Sequence, residues 1–149
     1  MSVTFAFYIG GGNLNDWLIR AATGYPESHV EMLSVSRVKQ ANLCVSASKR
    51  DGRRVRQTTI EWKPENWVFV EVPDLHGGDC LVRVMDELGA RYDTLGAAMS
   101  ITGRTIGGKG RWFCSELLAH AAGLEYPHRY TPGLLKEVLL DMGGKIITI

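Results

Sequence analysis

The sequence has little of what marks several large classes of protein. Its 149 residues hold three cysteines, Cys44, Cys80 and Cys114, an odd number at unlike spacings, so we expect neither a disulfide framework nor a zinc site. The formal net charge is only +1, which gives no overall field favouring nucleic acid or an anionic membrane. No apolar run approaches the ~20 residues that a membrane-spanning helix needs, so no membrane span is expected.

The N-terminal segment MSVTFAFYIGGG also lacks the basic start and the long apolar run of a secretory signal. Together with the unpaired thiols, this predicts a reducing, cytoplasmic location. Two glycine-containing segments fall short of nucleotide-binding motifs. GRTIGGKG (103–110) ends in Gly110 where a phosphate-binding loop needs Ser or Thr, and GGGNLN (10–15) has Asn15 at the third glycine of a dinucleotide fingerprint. The sequence therefore predicts no nucleotide cofactor.

What the chain does contain is a set of strand-forming segments followed by helix-forming ones. Alternation and β-branched residues predict strands over 3–9, 29–35, 43–48, 53–60 and 66–72, and Asp51-Gly52 predicts a hairpin turn. A helix is predicted over 15–22, with Asn15 as its cap, and another begins near Cys114. Further helices are predicted over 81–90, 94–101 and 133–142, and a closing strand over 145–149. Strands first and helices afterwards favour a single α+β domain with a central antiparallel sheet and packed helices.

The three thiols differ in their sequence surroundings. Cys44 lies within the predicted strand LCVSAS, which favours a core position. Cys80 follows Asp79, whose charge would oppose a thiolate, whereas Cys114 follows the cationic segment GKGR at the start of a predicted helix. Nearby cations and a helix N-terminus both stabilise a thiolate. Cys114 is therefore the candidate nucleophile, and a small buried hydrophobic residue is the alternative interpretation.

A catalytic thiol needs a base, and the chain has four histidines. His120 lies six residues after Cys114, roughly 600° further around a helix at ~100° per residue, so it points to another face. His76 and His128 fall in predicted loops. His29 begins a predicted strand, where a base would be well fixed. It is the candidate base, and a partly buried structural histidine is the alternative.

The order of these motifs resembles a known family. SHVEML (28–33) is followed by CVSASKRDG (44–52), ARYD (90–93) and RWFCSELLA (111–119). This order is similar to that of the circularly permuted papain-like, NlpC-related proteins of the YiiX type, above all to their small phage-encoded members. The resemblance covers residues 9–124 and implies one circularly permuted papain-like domain over 1–149. It also implies that Cys114 is the nucleophile and His29 the base.

The family places a third, orienting residue on the strand after the histidine, where YiiX-type relatives often have Glu. Here that strand reads CVSAS, so Ser46 or Ser48 stands at the position. A serine can hold an imidazole through one hydrogen bond, but it cannot stabilise imidazolium as a carboxylate does. Glu31 is the other candidate, because a residue two positions from His29 shares its face of a strand. Ser46 is slightly favoured, and Glu31 stays open.

The resemblance implies thiol-based acyl transfer on an amide or ester without a metal or organic cofactor, the substrate being a peptide, a cell-wall amide or a lipid acyl group. Tyr92-Asp93 would support the wall of the site or cap a helix, and the loop at 103–110 would move over it. The basic run KRDGRRVR (49–56) lacks the interleaved aromatics of a nucleic-acid surface and is predicted to be a solvated hairpin tip. The alternative function is a non-catalytic virion-assembly or host-interaction module on the same fold.

Overall fold

The computed structural model describes residues 2–33, 43–100 and 110–149. Its strands are β1 Val3–Tyr8, β2 His29–Leu33, β3 Leu43–Ser48, β4 Arg54–Thr59, β5 Trp67–Val72, β6 Arg91–Tyr92, β7 Arg111–Trp112 and β8 Lys145–Ile147. Its helices are α1 Leu14–Thr23, α2 Gly77–Met85, α3 Thr94–Ser100, α4 Cys114–Ala121 and α5 Pro132–Asp141. The predicted loop at 103–110, apart from Gly110, lies outside these residues, as does the end of the strand predicted for 29–35.

The eight strands form one sheet in the order β7-β6-β4-β3-β2-β1-β5-β8. All neighbours run antiparallel except β6 and β7, which run parallel. The mixed α+β class and the central, mainly antiparallel sheet are therefore confirmed. Strands β6 and β7 have only two residues each, which is too short for an alternating pattern to reveal.

The two faces of the sheet carry different chemistry. Cross-strand pairing places Phe5 beside Met32 and Val70, and Met32 beside Val45. These apolar side chains form the core with Leu117 and other residues of α4, which packs on β2 and β3. Because neighbouring residues of a strand alternate between faces, the residues between the core positions share the other face. They include Glu31, Ser46 and Arg56.

The hairpin predicted at Asp51-Gly52 is confirmed, but its turn is longer than the dipeptide indicates. Strands β3 and β4 pair as far as Ser48 and Arg54, so five residues, 49–53, make the connection. Gly52 has φ 77° and Arg53 has φ 53°, the left-handed conformation that glycine adopts without strain. This wider turn forms a tip that carries several cationic side chains.

Helix α1 begins one residue earlier than predicted, and its cap is Asn13, so the prediction of Asn15 as the cap was wrong. The Asn13 side chain accepts the backbone N–H groups of Asn15 and Asp16 at 3.0 and 3.2 Å. Asp16 in turn accepts the N–H of Asn13 at 2.8 Å, completing a reciprocal capping box. The helix predicted over 81–90 was also misplaced: α2 begins at Gly77 and ends at Met85.

Candidate functional site

Helix α4 fixes the position of the candidate nucleophile. It begins at Cys114, and seven of its eight residues are buried. Leu117 and Leu118 are fully enclosed in the core, and the Ser115 hydroxyl donates to the carbonyl of Tyr130 at 2.6 Å. Cys114 itself is 5% exposed, at the end of the helix that meets the cleft. A thiol on a helix packed this closely has little freedom to move away from its partners.

The candidate base lies on β2 beside a carboxylate. Nε2 of His29 is 2.7 Å from Oε1 of Glu31, two residues along the same strand and on the same face. Glu31 is completely buried. A buried carboxylate bonded to one ring nitrogen fixes the orientation of the imidazole and leaves the other nitrogen available.

Ser46, the slightly favoured orienting residue, lies on the same face but bonds elsewhere. Its hydroxyl is fully buried and donates to the carbonyl of Val30 at 2.7 Å. Ser48 accepts the backbone N–H of Arg50 at 3.2 Å. Among the four candidate site residues, the structure thus brings together Cys114, His29 and Glu31, while Ser46 supports the backbone of β2. Glu31 therefore contacts the His29 ring, and the Ser46 hydroxyl bonds to the backbone instead.

Arg56 was missed in the sequence, where it belonged to the run interpreted as a solvated tip. Its two terminal nitrogens donate to the two oxygens of Glu31 at 2.8 and 2.7 Å, and its Nε donates to Asp51 at 2.7 Å. This planar, two-bond contact fixes the carboxylate and supplies a compensating charge. The signal in the sequence was weak: Arg56 lies two residues after Arg54 in β4, on the face of the sheet that also carries Ser46 and Glu31.

These residues open onto one cleft of about 580 Å³. The sheet contributes His29, Glu31 and Arg56 to its lining, and Cys114 and Tyr92 also reach it. The remaining lining residues come mainly from α1 with its cap, from the tip of the β3–β4 hairpin and from β4 and β5: Tyr8, Asn13, Asn15, Asp16, Ile19, Ser28, Ser48, Lys49, Arg50, Asp51, Arg53, Thr58, Thr59, Ile60 and Trp67. The volume is that of an ordinary small-molecule or peptide-binding site.

The electrostatics of the three central groups favour a charged pair. Burial alone would lower the pKa of His29, but the hydrogen bond and negative charge of Cys114, with those of Glu31, outweigh it and raise that pKa to about 10. Burial alone would raise the pKa of Glu31, yet its bonds to His29 and Arg56 hold it below its usual value. The charged forms of His29 and Glu31 therefore stabilise each other.

The first turn of α4 also offers hydrogen-bond donors. Its leading N–H groups have no acceptor within the helix, and the preceding residue, Phe113, carries no polar side-chain atom to cap them. Glu116 accepts the N–H of Phe113 at 3.5 Å. Donors at a helix N-terminus beside a nucleophile can bind the negative oxygen of a tetrahedral intermediate.

Tyr92 and Asp93 lie at the junction of β6 and α3. Tyr92 lines the cleft, and burial together with the negative charge of Cys114 raises its pKa, so its hydroxyl is a donor. Asp93 is buried; its backbone N–H donates to Trp112 at 2.9 Å and its carbonyl accepts from Ala97 in the first turn of α3 at 3.0 Å. Tyr92 thus lies in the wall of the cleft, and Asp93 lies at the start of α3.

The other thiols and His120 lie away from the cleft. Cys44 is buried, its Sγ donates to the Thr58 carbonyl at 3.4 Å, and burial raises its pKa. Burial likewise raises the pKa of Cys80. His120 stacks on Trp112, with ring centroids 5.0 Å apart, and among the described residues it is not part of the cleft lining. Within residues 2–33, 43–100 and 110–149, no group of three or more His, Cys, Asp and Glu residues is arranged to hold a metal ion.

No protein-family model matches the sequence, and no curated protein shows significant similarity to it. Across the described ranges, each helix is too short or too polar to cross a bilayer. Function must therefore be inferred from the cleft and its residues.

Proposed function

We propose that this protein is a thiol-dependent hydrolase that cleaves an amide or ester through an acyl-enzyme on Cys114. The observation that carries the proposal is the grouping of a helix-borne thiol with an imidazole bonded at 2.7 Å to a buried carboxylate. This is the arrangement of nucleophile, base and orienting group that covalent acyl transfer requires.

The first half of the reaction would form a thioester. His29 takes the proton of Cys114, and the resulting thiolate sulfur attacks the carbonyl carbon of the substrate. The N–H groups at the start of α4 stabilise the resulting oxyanion. As the intermediate collapses, His29 gives its proton to the leaving amine or alcohol, and the carbon–nitrogen or carbon–oxygen bond breaks.

The second half would regenerate the thiol. A water molecule gives a proton to His29 and attacks the thioester carbon, which releases a carboxylic acid and returns the thiolate–imidazolium pair. Glu31 keeps the imidazole oriented throughout, and Arg56 keeps Glu31 in place with two hydrogen bonds. Arg56 is thus a positioning residue, since it acts on the base through Glu31.

The fold we propose is the circularly permuted papain-like one. Two observations support it: the histidine strand β2 precedes the cysteine helix α4 along the chain, and α4 packs on β2 and β3 of a mainly antiparallel sheet. Peptides, cell-wall amides and acyl esters are all substrates of the proposed class. A phage origin would favour the first two.

A non-catalytic module on the same fold is the alternative. A His29 without a carboxylate partner would favour it, whereas Glu31 lies 2.7 Å from His29, which supports the hydrolase. An open cleft with an unreactive thiol is what this alternative predicts, so thiol reactivity distinguishes the two.

The test is the pH dependence of iodoacetamide alkylation, with each modified cysteine identified by mass spectrometry. Cys114 should react fastest and keep reacting well below pH ~8.5, the ordinary thiol range, and His29→Ala should abolish that low-pH reactivity. Buried Cys80 serves as the internal control for general unfolding. A Cys114 that is inert, or that reacts alike in both proteins, would refute the proposal; otherwise, hydrolysis of amide and ester panels follows.

A further inference from the structure

The cleft has two unlike ends, and His29 lies between them. In the sheet, β2 has β1 and β5 on one side and β3 and β4 on the other. Tyr8 of β1 pairs directly with His29, and Trp67 of β5 pairs directly with Tyr8, so both rings lie on the face of the sheet that carries His29. Because β2 and β3 run antiparallel, the turn that follows Ser48 lies at the His29 end of β2, on the opposite side from the rings.

The end formed by β1 and β5 is an aromatic wall. The rings of Tyr8 and Trp67 meet edge to face with their centroids 5.1 Å apart, and Trp62 contacts Trp67 in the same way at 4.8 Å. Tyr8 and Trp67 line the cleft and are only partly buried. Rings that are already fixed by such contacts can receive an aromatic group of a ligand at little cost in side-chain entropy.

Most of the charge that lines the cleft is paired within the protein. The lining carboxylates are Asp16, Glu31 and Asp51. Asp16 bonds to Arg50 at 2.9 Å, and Arg56 bonds to both Glu31 and Asp51 at 2.7 Å. Each of these carboxylates therefore already has a cationic partner, and two of the lining arginines are engaged in the same contacts.

Lys49 and Arg53, in the β3–β4 turn, are the other cations of the lining. Both are exposed, and neither is paired with an acidic side chain within the residues that the structure describes. Arg53 has φ 53°, a left-handed conformation that glycine adopts without strain and other residues rarely adopt. Its carbonyl accepts the N–H of Tyr92, in the wall of the cleft, at 2.8 Å. The backbone of Arg53 is thus fixed at the cleft, and a cationic side chain stands where conformation alone favours glycine.

We propose that the cleft selects an acidic–aromatic peptide, with a carboxylate on one side of the scissile bond and an aromatic ring on the other. Lys49 and Arg53 would bind the carboxylate through charge-assisted hydrogen bonds, and Tyr8 and Trp67 would receive the ring. The inference rests on the proposed hydrolase, because it places the two groups on either side of the bond that Cys114 attacks. It assigns to the hairpin turn and to the aromatic wall the choice of substrate.

The test measures how tightly short blocked peptides bind to the Cys114→Ala protein, by isothermal titration calorimetry. In these peptides a glutamate and a phenylalanine flank two glycines, in either order. Matched peptides carry glutamine in place of the glutamate, or alanine in place of the phenylalanine. In one of the two orders, the Glu/Phe peptide should bind about tenfold more tightly than its glutamine analogue, because the charge-assisted bonds are lost with the carboxylate. Loss of the phenyl ring should also weaken binding.

Variants of the same protein assign each preference to one end of the cleft. Lys49→Gln combined with Arg53→Gln should remove the preference for glutamate and keep that for phenylalanine. Trp67→Leu should do the reverse, and the preference that each variant keeps shows that it is folded. The matched control is Arg129→Gln combined with Lys145→Gln. It removes the same two charges from exposed side chains that are not among the described lining residues, and it should leave the binding of every peptide unchanged.

The outcomes separate this proposal from the hydrolase itself. A Glu/Phe peptide that does not bind, or that binds no better than its glutamine analogue in either order, overturns the proposed selectivity. Equal losses in the Lys49/Arg53 variant and in the control overturn it too, since the effect would then be one of net charge. If Cys114 of the wild type is inert to alkylation while the Glu/Phe peptide is preferred, the hydrolase is wrong and the selectivity of the cleft stands.

Discussion

Helices α4 and α1 border the same cleft but are held to the protein in opposite ways. Seven of the eight residues of α4 are buried, against one of the ten in α1. Helix α4 is anchored by apolar packing, and each fully buried leucine contributes about 1.5–3 kcal/mol. Helix α1 is anchored by the polar contacts of Asp16 and Arg20, and a hydrogen bond contributes about 0.5–1.5 kcal/mol net.

This difference matches what each helix presents to the cleft. The side carrying Cys114 is fixed by the core, which a nucleophile positioned to within a fraction of an ångström requires. The side formed by α1 is held through Asp16, while Trp17 and Leu18 stay exposed. The four predictions below test this division, from the largest expected effect to the smallest.

Cys114→Ser should have the largest effect on the proposed hydrolysis. Loss of a covalent nucleophile lowers kcat/KM by on the order of 10³-fold or more. Trp17→Ala, on the exposed face of α1, should change kcat/KM for a small water-soluble substrate by less than about twofold, because it touches none of the reacting groups. Equal losses in the two variants would remove the distinction between the helices.

Glu31→Gln should reduce kcat by on the order of 10²-fold, because a neutral amide cannot stabilise imidazolium as a carboxylate does. The pKa of His29 should fall with it, since the Glu31 charge is one cause of its rise to about 10. The rate of Cys114 alkylation at low pH should fall accordingly. A Glu31 that only stabilised the fold would not produce this change. The matched control is Ser46→Ala, which removes the hydroxyl bonded to Val30 and should leave this pH profile unchanged.

Leu117→Ala and Leu18→Ala make the same substitution in the two helices. Leu117 is fully buried in the core, so its loss should cost about 2–5 kcal/mol of the free energy of unfolding. Leu18 is 49% exposed, and its loss should change that free energy by no more than about 0.5 kcal/mol. Urea denaturation followed by circular dichroism measures both. A large loss in Leu18→Ala would mean that Leu18 is packed against another surface in solution.

The local parts of the site could be predicted from the sequence, and the parts set by strand pairing could not. Alternation within five residues places His29 and Glu31 on one face, and the strand at 43–48 and the hairpin after it carry strong local signals. Alternation could not decide whether Ser46 or Glu31 bonds to His29, because both residues lie on the same face of the sheet. Only the geometry shows that Ser46 donates to the neighbouring strand while Glu31 reaches His29.

Arg56 and the orientation of α1 depend on contacts between segments far apart in the chain. Glu31 and Arg56 are 25 residues apart in the sequence. Their strands, β2 and β4, both pair with β3, and the two side chains meet across it. The inward turn of Asp16 likewise depends on Ser28, whose hydroxyl donates to it at 2.9 Å, and on Arg50. A helical pattern alone indicates an apolar stripe and says nothing of whether the stripe faces the core.

The capping carboxylates of the two helices lead to the smallest predicted effect. Asp16 in α1 bonds to Asn13, Ser28 and Arg50, all within 2.9 Å. Glu116, at the same position of α4, accepts one N–H at 3.5 Å. Burial, with a smaller contribution from the charge of Asp93, raises the pKa of Glu116 from 4.5 to about 7.

A carboxyl group whose pKa is raised by folding stabilises the folded state while it is protonated. That contribution is complete below pH 4.5 and is lost as the pH rises through about 7. Glu116→Gln cannot ionise at this position. As the pH rises from 4.5 to 8, its Tm should therefore increase by about a few degrees relative to that of the wild type. Asp16→Asn is the matched variant in α1: it weakens the ion pair with Arg50 and should lower Tm. If the Tm of the wild type and that of Glu116→Gln depend on pH in the same way, the start of α4 tolerates the Glu116 charge. The predicted difference between the first turns of α1 and α4 would then be wrong.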